Sequence, residues 1–150
     1  MLQRTAVLPG TLSLLKNLIG ISDLKDYYLV GGTALALQFG HRLSVDLDFF
    51  TDGEFEPDKI GDALPEGYLE FGRSKVFYGA HVEGIKCDFV RNLFPLQLPL
   101  IVDEGVRMAQ PLETAAMKFW AITRRGAQKD FWDLYFLLQR FTLEEIFALF

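Results

Sequence analysis

One segment, YYLVGGTALALQFGHRLSVDLDFF (residues 27–50), restricts the fold more than any other part of the chain. Tyr27-Tyr28-Leu29-Val30 is an apolar run of strand length that stops at Gly31-Gly32. Thr33 to Gln38 then reads as a helix closed by Gly40. From Leu43 to Phe50 apolar and polar residues alternate, which predicts a second strand.

The same segment carries the chemistry. Glycines at a strand end let the backbone approach a phosphate, and a helix start offers free N–H groups to an anion. The plainer reading of Gly31-Gly32-Thr33 is a tight turn before a capped helix. Thr33 can cap that helix or donate its hydroxyl to a phosphate oxygen. Neither a Walker P-loop nor a dinucleotide fingerprint is present. Asp46-Leu47-Asp48 sits within the second predicted strand, so alternation puts both carboxylates on one face, with Val45, Leu47 and Phe49 on the other. Adjacent acids repel on a sheet, and a hard cation such as Mg²⁺ or Mn²⁺ neutralises them. A solvated strand face is the alternative, disfavoured by Phe49 and Phe50. Asp88, in Ile85-Lys86-Cys87-Asp88-Phe89-Val90, is either a third carboxylate for a two-metal site or an edge-strand salt bridge to Lys86 or Arg91.

Helical spacing marks Leu12 to Leu18, with Gly20 as the stop, and Pro57 to Leu64. Tyr68 to Phe71, Val76 to Tyr78 and Ile85 to Val90 read as strands between glycines. Arg91 to Asp103 is a Pro- and Leu-rich connection without a clear form. Pro111 opens a helix to about Arg124, and Gln128 to Gln139 forms the next. Thr142-Leu143-Glu144-Glu145 fits a capping box for a last helix. Strands first and helices after predict a single α+β domain. A mixed sheet flanked by helices spans about residues 1–105, and a helical part, open to truncation, spans about 106–150.

Composition narrows the function classes. The net charge of -5 argues against broad, sequence-independent nucleic-acid binding. Residues 1–106 hold nine Lys/Arg against fifteen Asp/Glu, whereas residues 107–150 hold six against five. A local basic surface from Arg107 to Arg140 suits a phosphate-bearing ligand or a nucleic-acid end. The single Cys87 excludes an internal disulfide and reads as buried filler. No apolar run reaches transmembrane length and no signal peptide is clear, so a cytoplasmic location is expected. His41 and His81 lack metal spacing and read as structural. Phe131, Trp132, Tyr135 and Phe136 recur at helical spacing, which suggests core packing rather than base stacking.

Gly31-Gly32-Thr33 followed by Asp46-Leu47-Asp48 resembles the nucleotidyltransferase superfamily of the DNA polymerase β type, with Asp88 as candidate third acid. The runs GGTALALQFGHRLSVDLDFF and PLETAAMKFWAITRRGAQKDFWDLYFLL resemble the abortive-infection AbiEii/AbiGii toxin family more closely. That resemblance covers most of residues 27–140. It implies an NTP-dependent transferase with two Mg²⁺ or Mn²⁺ ions, acting on tRNA ends in several members, within toxin–antitoxin or phage-defence systems. An antitoxin protein is then an expected partner. Asp46, Asp48 and Asp88 become metal ligands. Gly31, Gly32, Thr33, Arg42, Lys118, Lys129 and Asp130 become candidates for NTP binding, and Lys118 joins the three acids as catalytic. Lys118 could instead snorkel beside the apolar stripe of its helix, and Asp130 could orient Lys118 or Lys129. Asp130 and Asp133 open the last long helix on adjacent faces, so one of them can reach the cleft. Arg42 could balance Asp46 or Asp48 or approach a phosphate. Arg124 and Arg125 complement the C-terminal dipole of their helix. The rival readings are a non-catalytic module that binds a nucleotide or partner, a small-molecule transferase of the antibiotic-modifying kind, and a metal-dependent nuclease.

Overall fold

A computed structural model describes residues 1–149. One seven-stranded mixed sheet runs through the molecule in the order β3-β4-β5-β2-β1-β7-β6. Its strands are β1 (Tyr28–Val30), β2 (Leu47–Thr51), β3 (Leu69–Arg73), β4 (Phe77–Val82), β5 (Ile85–Arg91), β6 (Ile101–Asp103) and β7 (Val106–Met108). The helices are α1 (Pro9–Ile19), α2 (Gly31–Phe39), α3 (Pro57–Ala63), α4 (Pro111–Arg124), α5 (Gln128–Leu138) and α6 (Leu143–Phe147). Among the described residues no helix is long and apolar enough to cross a membrane.

Alternation along the central strands separates two faces. Leu29, Leu47, Phe49, Cys87 and Phe89 point into the main core, packed with Leu14, Leu15 and Leu18 of α1 and Ile60 of α3. Each such side chain contributes roughly 1.5–3 kcal/mol by leaving water. Tyr28 and Val30 point to the opposite face, where Ala109, Phe50 and Met117 of α4 meet them. The even-numbered residues of β2 and β5, Asp48 and Asp88 among them, belong to this second face.

Helix α2 is buried nearly all round, because it lies between the sheet and the helical tail. Ala34 and Leu37 join the main core, while Leu35 packs with Ala115, Ala116, Leu137 and Ile146 of the tail. Gly40 ends α2 in the left-handed conformation, φ +66°. The capping box at Thr142 and Glu145 is present as expected.

Three expectations change. The strand expected from Leu43 begins only at Leu47, so Asp46 lies just before β2 and Val45 is exposed. Residues 101–108 form a hairpin, β6–β7, where the sequence showed only a connection. Its strands of three residues are too short to display alternation, and Glu104-Gly105 makes the turn at φ 50° and 81°. Since β7 pairs with β1, the sheet extends past residue 105, and the helical part starts at Pro111.

Candidate active site

The site forms where β1, β2 and β5 lie side by side. β2 and β5 run parallel, and their register sets Asp48 directly against Asp88. Across the other edge of β2, Asp48 stands opposite Val30, the residue before the glycine turn. Gly31 has φ +73°, and a Cβ there would lie 3.2 Å from Asp48 Oδ2. A side chain at that position would be strained and would crowd the carboxylate. The sheet therefore brings the turn and two of the three sequence-predicted acids together. Asp46, two residues upstream of Asp48, adds its charge to the same locality.

These acids are poorly compensated. Burial pushes the Asp48 carboxyl up to about 6. The neighbouring Asp88 and Asp46 charges add to the shift, and Lys86 and Lys129 oppose it. Asp88 accepts a bond from Lys86 Nζ at 2.9 Å, yet its buried Oδ1 has no hydrogen-bond partner. Lys129 Nζ stands 3.6 Å from Asp46 Oδ2. Asp88 thus faces Asp48 and is paired with Lys86, as one reading expected, but on an interior strand of the sheet and not at an edge. Among the described residues no group of three His, Cys, Asp or Glu side chains is gathered closely enough to hold a metal as it stands.

Thr33 is placed differently from either expectation. Its side chain is buried, caps nothing, and bonds to Ser44 Oγ and to the carbonyl oxygen of Asp46. The hydroxyl faces the protein and anchors the segment that delivers Asp46. The backbone N–H groups at the start of α2 are what the turn has to offer an anion.

Behind the acids lies a second cluster, whose pairings sequence reasoning largely missed. Lys118 is buried, with Nζ 2.8 Å from Asp130 Oδ1 and 2.8 Å from Asp133 Oδ2. It neither snorkels nor points freely into the cleft. Arg42 feels the charge of Asp46, but its bonds go elsewhere. It makes a two-pronged contact with Asp133, Nε to Oδ1 at 2.6 Å and Nη2 to Oδ2 at 2.8 Å. His41 Nε2 bonds the same carboxylate at 2.7 Å while its ring stacks on Phe136. Arg125 grips Asp130 through Nε and Nη2. Burial alone would raise both aspartates, but these bonds outweigh it. They hold Asp130 down at about 2 and Asp133 well below the usual carboxylate range. Gly32 belongs to this cluster, because a Cβ on it would meet Arg42 Nη2 at 2.0 Å and Asp133 Oδ2 at 3.3 Å. Of these pairings the sequence offered only Asp130 orienting Lys118, which is present, and the spacing of Asp130 and Asp133.

Of the expected basic surface, Arg124, Arg125, Lys129 and Arg140 stay exposed, while Lys118 is buried and Arg107 half-buried. Arg107 donates to the carbonyls of Ile19, Leu24 and Tyr27. Arg124 lies over Trp120, and Arg140 over Phe39 and Phe136. Cys87 is fully buried, and burial pushes its thiol up to about 12, as befits inert filler. The expectation for the α5 aromatics fails, since Phe131, Trp132 and Tyr135 are exposed. Only Phe136 packs, against Phe39 and His41.

Solved structures of similar fold define the class. ANT(2")-Ia in complex with adenylyl-2"-tobramycin superposes with a TM-score of 0.72 at 14% identity, over 93% of this chain and 94% of that one. JHP933 from Helicobacter pylori gives 0.59 at 21% identity, over 97% of this chain and 70% of that one. The Megavirus polyadenylate synthase gives 0.60 at 15% identity, over 87% and 31%. The fold is that of the nucleotidyltransferases. Residues 13–149 match the family model described as nucleotidyl transferase AbiEii toxin, Type IV TA system, and the chain belongs to that family. An uncharacterized protein of Aquifex aeolicus, aq_aa25, is 34% identical over 134 residues, which is 84% of this chain. The chain spans 64% of the length of that relative.

Proposed function

We propose that the protein transfers a nucleoside monophosphate from an NTP to an acceptor hydroxyl, with divalent metal ions held by Asp46, Asp48 and Asp88. The observation that carries this reading is the register that sets Asp48 against Asp88 and beside Gly31. The residues fit a hard cation. All three supply carboxylate oxygens, Asp88 Oδ1 is buried without a partner, and Asp48 is pushed toward its neutral form by burial and by the other acids. Lys86 and Lys129 are each nearly half exposed and can swing off the acids they now hold. Bound there, Mg²⁺ or Mn²⁺ would neutralise the triphosphate and the negative charge that develops on it.

The chain's own groups do the rest. The backbone N–H groups at Gly31 and Gly32 receive phosphate oxygens, and Lys129, released from Asp46, adds a mobile cation. Asp88 takes the proton of the acceptor hydroxyl as its oxygen bonds to the α-phosphorus. The bond from that phosphorus to the bridging oxygen breaks, and pyrophosphate leaves. Lys118, Asp130, Asp133 and Arg42 act from behind. They lock α4 and α5 to the glycine turn and so set its position. A tRNA 3′ end is one acceptor for this reaction, and an antitoxin protein is the partner that membership of the family suggests. The reaction would take place in the cytoplasm.

The test is incubation with each labelled NTP, Mg²⁺ and total cell RNA, followed by mass analysis of every modified species. Incorporation that disappears in Asp46→Ala and Asp48→Ala, with the fold retained, supports the assignment. Undiminished incorporation in either variant rejects it.

A further inference from the structure

Asp88 is given two tasks by the proposed chemistry, yet half of its carboxylate is already taken. Its Oδ1 is buried without a partner, while Oδ2 accepts a bond from Lys86 Nζ at 2.9 Å. Lys86 is in turn seated by a ring that the mechanism does not use. Phe71 is the extra residue of a bulge in β3, where Glu70 pairs with Ala80 and Gly72 already pairs with Gly79. The ring lies across Gly79 of β4, and a Cβ at Gly79 would collide with Phe71 and Phe77. Gly79 is paired with Asp88 and His81 with Lys86, so ring, ammonium and carboxylate share one face of the sheet. Lys86 Nζ stands 5.7 Å from the centre of the Phe71 ring, within cation–π range, and the His81 ring lies 5.2 Å from it on the same face. Phe71 is itself 45% exposed, so burial is not what places it there. Lys129 approaches Asp46 less closely, at 3.6 Å.

We propose that Lys86, seated on Phe71, is a latch on the acid site. Its ammonium stands in for a divalent cation in the resting protein and must leave Asp88 before the site is loaded. Two positive charges crowded onto one carboxylate repel strongly where water is scarce. The same departure frees Oδ2, the oxygen then open to a proton from the acceptor hydroxyl. Loading of the site and unmasking of its base are therefore one event. The way out is open, because the Lys86 side chain is 43% exposed and its four-carbon stem is flexible. The latch rests on the reading of Asp46, Asp48 and Asp88 as cation ligands.

The probe is Mn²⁺ alone, without NTP, its free concentration read by electron paramagnetic resonance as protein is added. Lys86→Met should bind Mn²⁺ about tenfold more tightly than wild type, the combined worth of an exposed ion pair and a cation–π seat. Lys75→Met removes the same charge from the β3–β4 turn and should stay within about twofold of wild type, since screening weakens distant charges. Phe71→Leu keeps the lysine and its charge but removes the π face, and should tighten binding about threefold. Lys86→Arg, which can still stack on Phe71 and hold Asp88, should bind Mn²⁺ no more tightly than wild type. Circular dichroism establishes that each variant is folded. Equal affinity in wild type and Lys86→Met, with binding lost in Asp48→Asn, overturns the latch and leaves the cation site standing. Unchanged affinity in Phe71→Leu also overturns it, because Lys86 then needs no seat. Absence of Asp48-dependent Mn²⁺ binding from wild type and Lys86→Met alike removes the cation site and the latch together.

Discussion

Two groups of aspartates lie on either side of the glycine turn, and they are treated in opposite ways. On the sheet, Asp48 is pushed up to about 6, and Asp88 keeps a buried oxygen without a partner. In the tail, Asp130 and Asp133 are just as deeply placed, yet Lys118, Arg42, Arg125 and His41 hold them well below the usual range. Burial acts on both groups, so burial does not explain the difference; the count of fixed cations does. The tail acids are satisfied from within and serve architecture. The sheet acids have only two part-exposed lysines, Lys86 and Lys129, beside them.

The largest effect should come from breaking the sheet group. Asp48→Asn keeps the size of the side chain and removes its charge. Turnover with labelled NTP should fall at least about 10³-fold, while far-UV circular dichroism stays unchanged. Asp133→Ala should do the opposite. It strands Arg42, His41 and Lys118 in a buried setting and should cost about 3–5 kcal/mol in urea unfolding. An Asp133→Ala protein as stable as wild type would show that the tail cluster is not architectural.

How far this contrast can be read from the sequence differs between its halves. The acid site was legible because it is local. Gly31, Asp46 and Asp48 fall within one strand–turn–helix–strand unit, and only Asp88 had to arrive from elsewhere. Its strand was visible from its apolar flanks, but its register against β2 was not. The tail cluster is long-range. Arg42 and Asp133 are separated by 91 residues, and nothing in the run around Arg42 distinguishes a carboxylate on α5 from one four residues away. The α5 aromatics misled for a related reason. Helical spacing reports which residues share a face but not whether that face is covered. The β6–β7 hairpin escaped because three-residue strands carry too little pattern.

The pH dependence of stability sharpens the comparison at a smaller scale. The folded value of Asp48, about 6, lies above the ordinary 3.8. Between those values the folded state keeps a proton that the unfolded chain has lost. This contribution is therefore whole below about pH 4 and disappears as pH rises through 6. Asp48→Asn should thus be more stable than wild type at pH 8 by about 2–3 kcal/mol and indistinguishable from it near pH 4. The tail acids give the other sign. Their values lie below 3.8, so their contribution is present at neutral pH and is lost as pH falls through their lowered range, near 2 for Asp130. Mg²⁺ should raise the melting midpoint of wild type at pH 8 and leave that of Asp48→Asn unmoved. An equal rise in both would mean that the ion binds elsewhere.

Gly32 is where the two groups touch, and it offers the finest test. Unlike Gly31, it has an ordinary φ, so alanine there is not strained by its own backbone. The harm comes from Arg42, whose Nη2 occupies the space a methyl group would take while its guanidinium is fixed on Asp133. Gly32→Ala should cost about 1–2 kcal/mol, the worth of a weakened charged hydrogen bond. Repeating the substitution in an Arg42→Ala background removes the collision. Glycine to alanine within α2 should then be neutral or stabilising by up to about 1 kcal/mol. A cost that persists without Arg42 would place the constraint in the turn's own geometry, and the link between the glycine turn and the tail cluster would have to be abandoned.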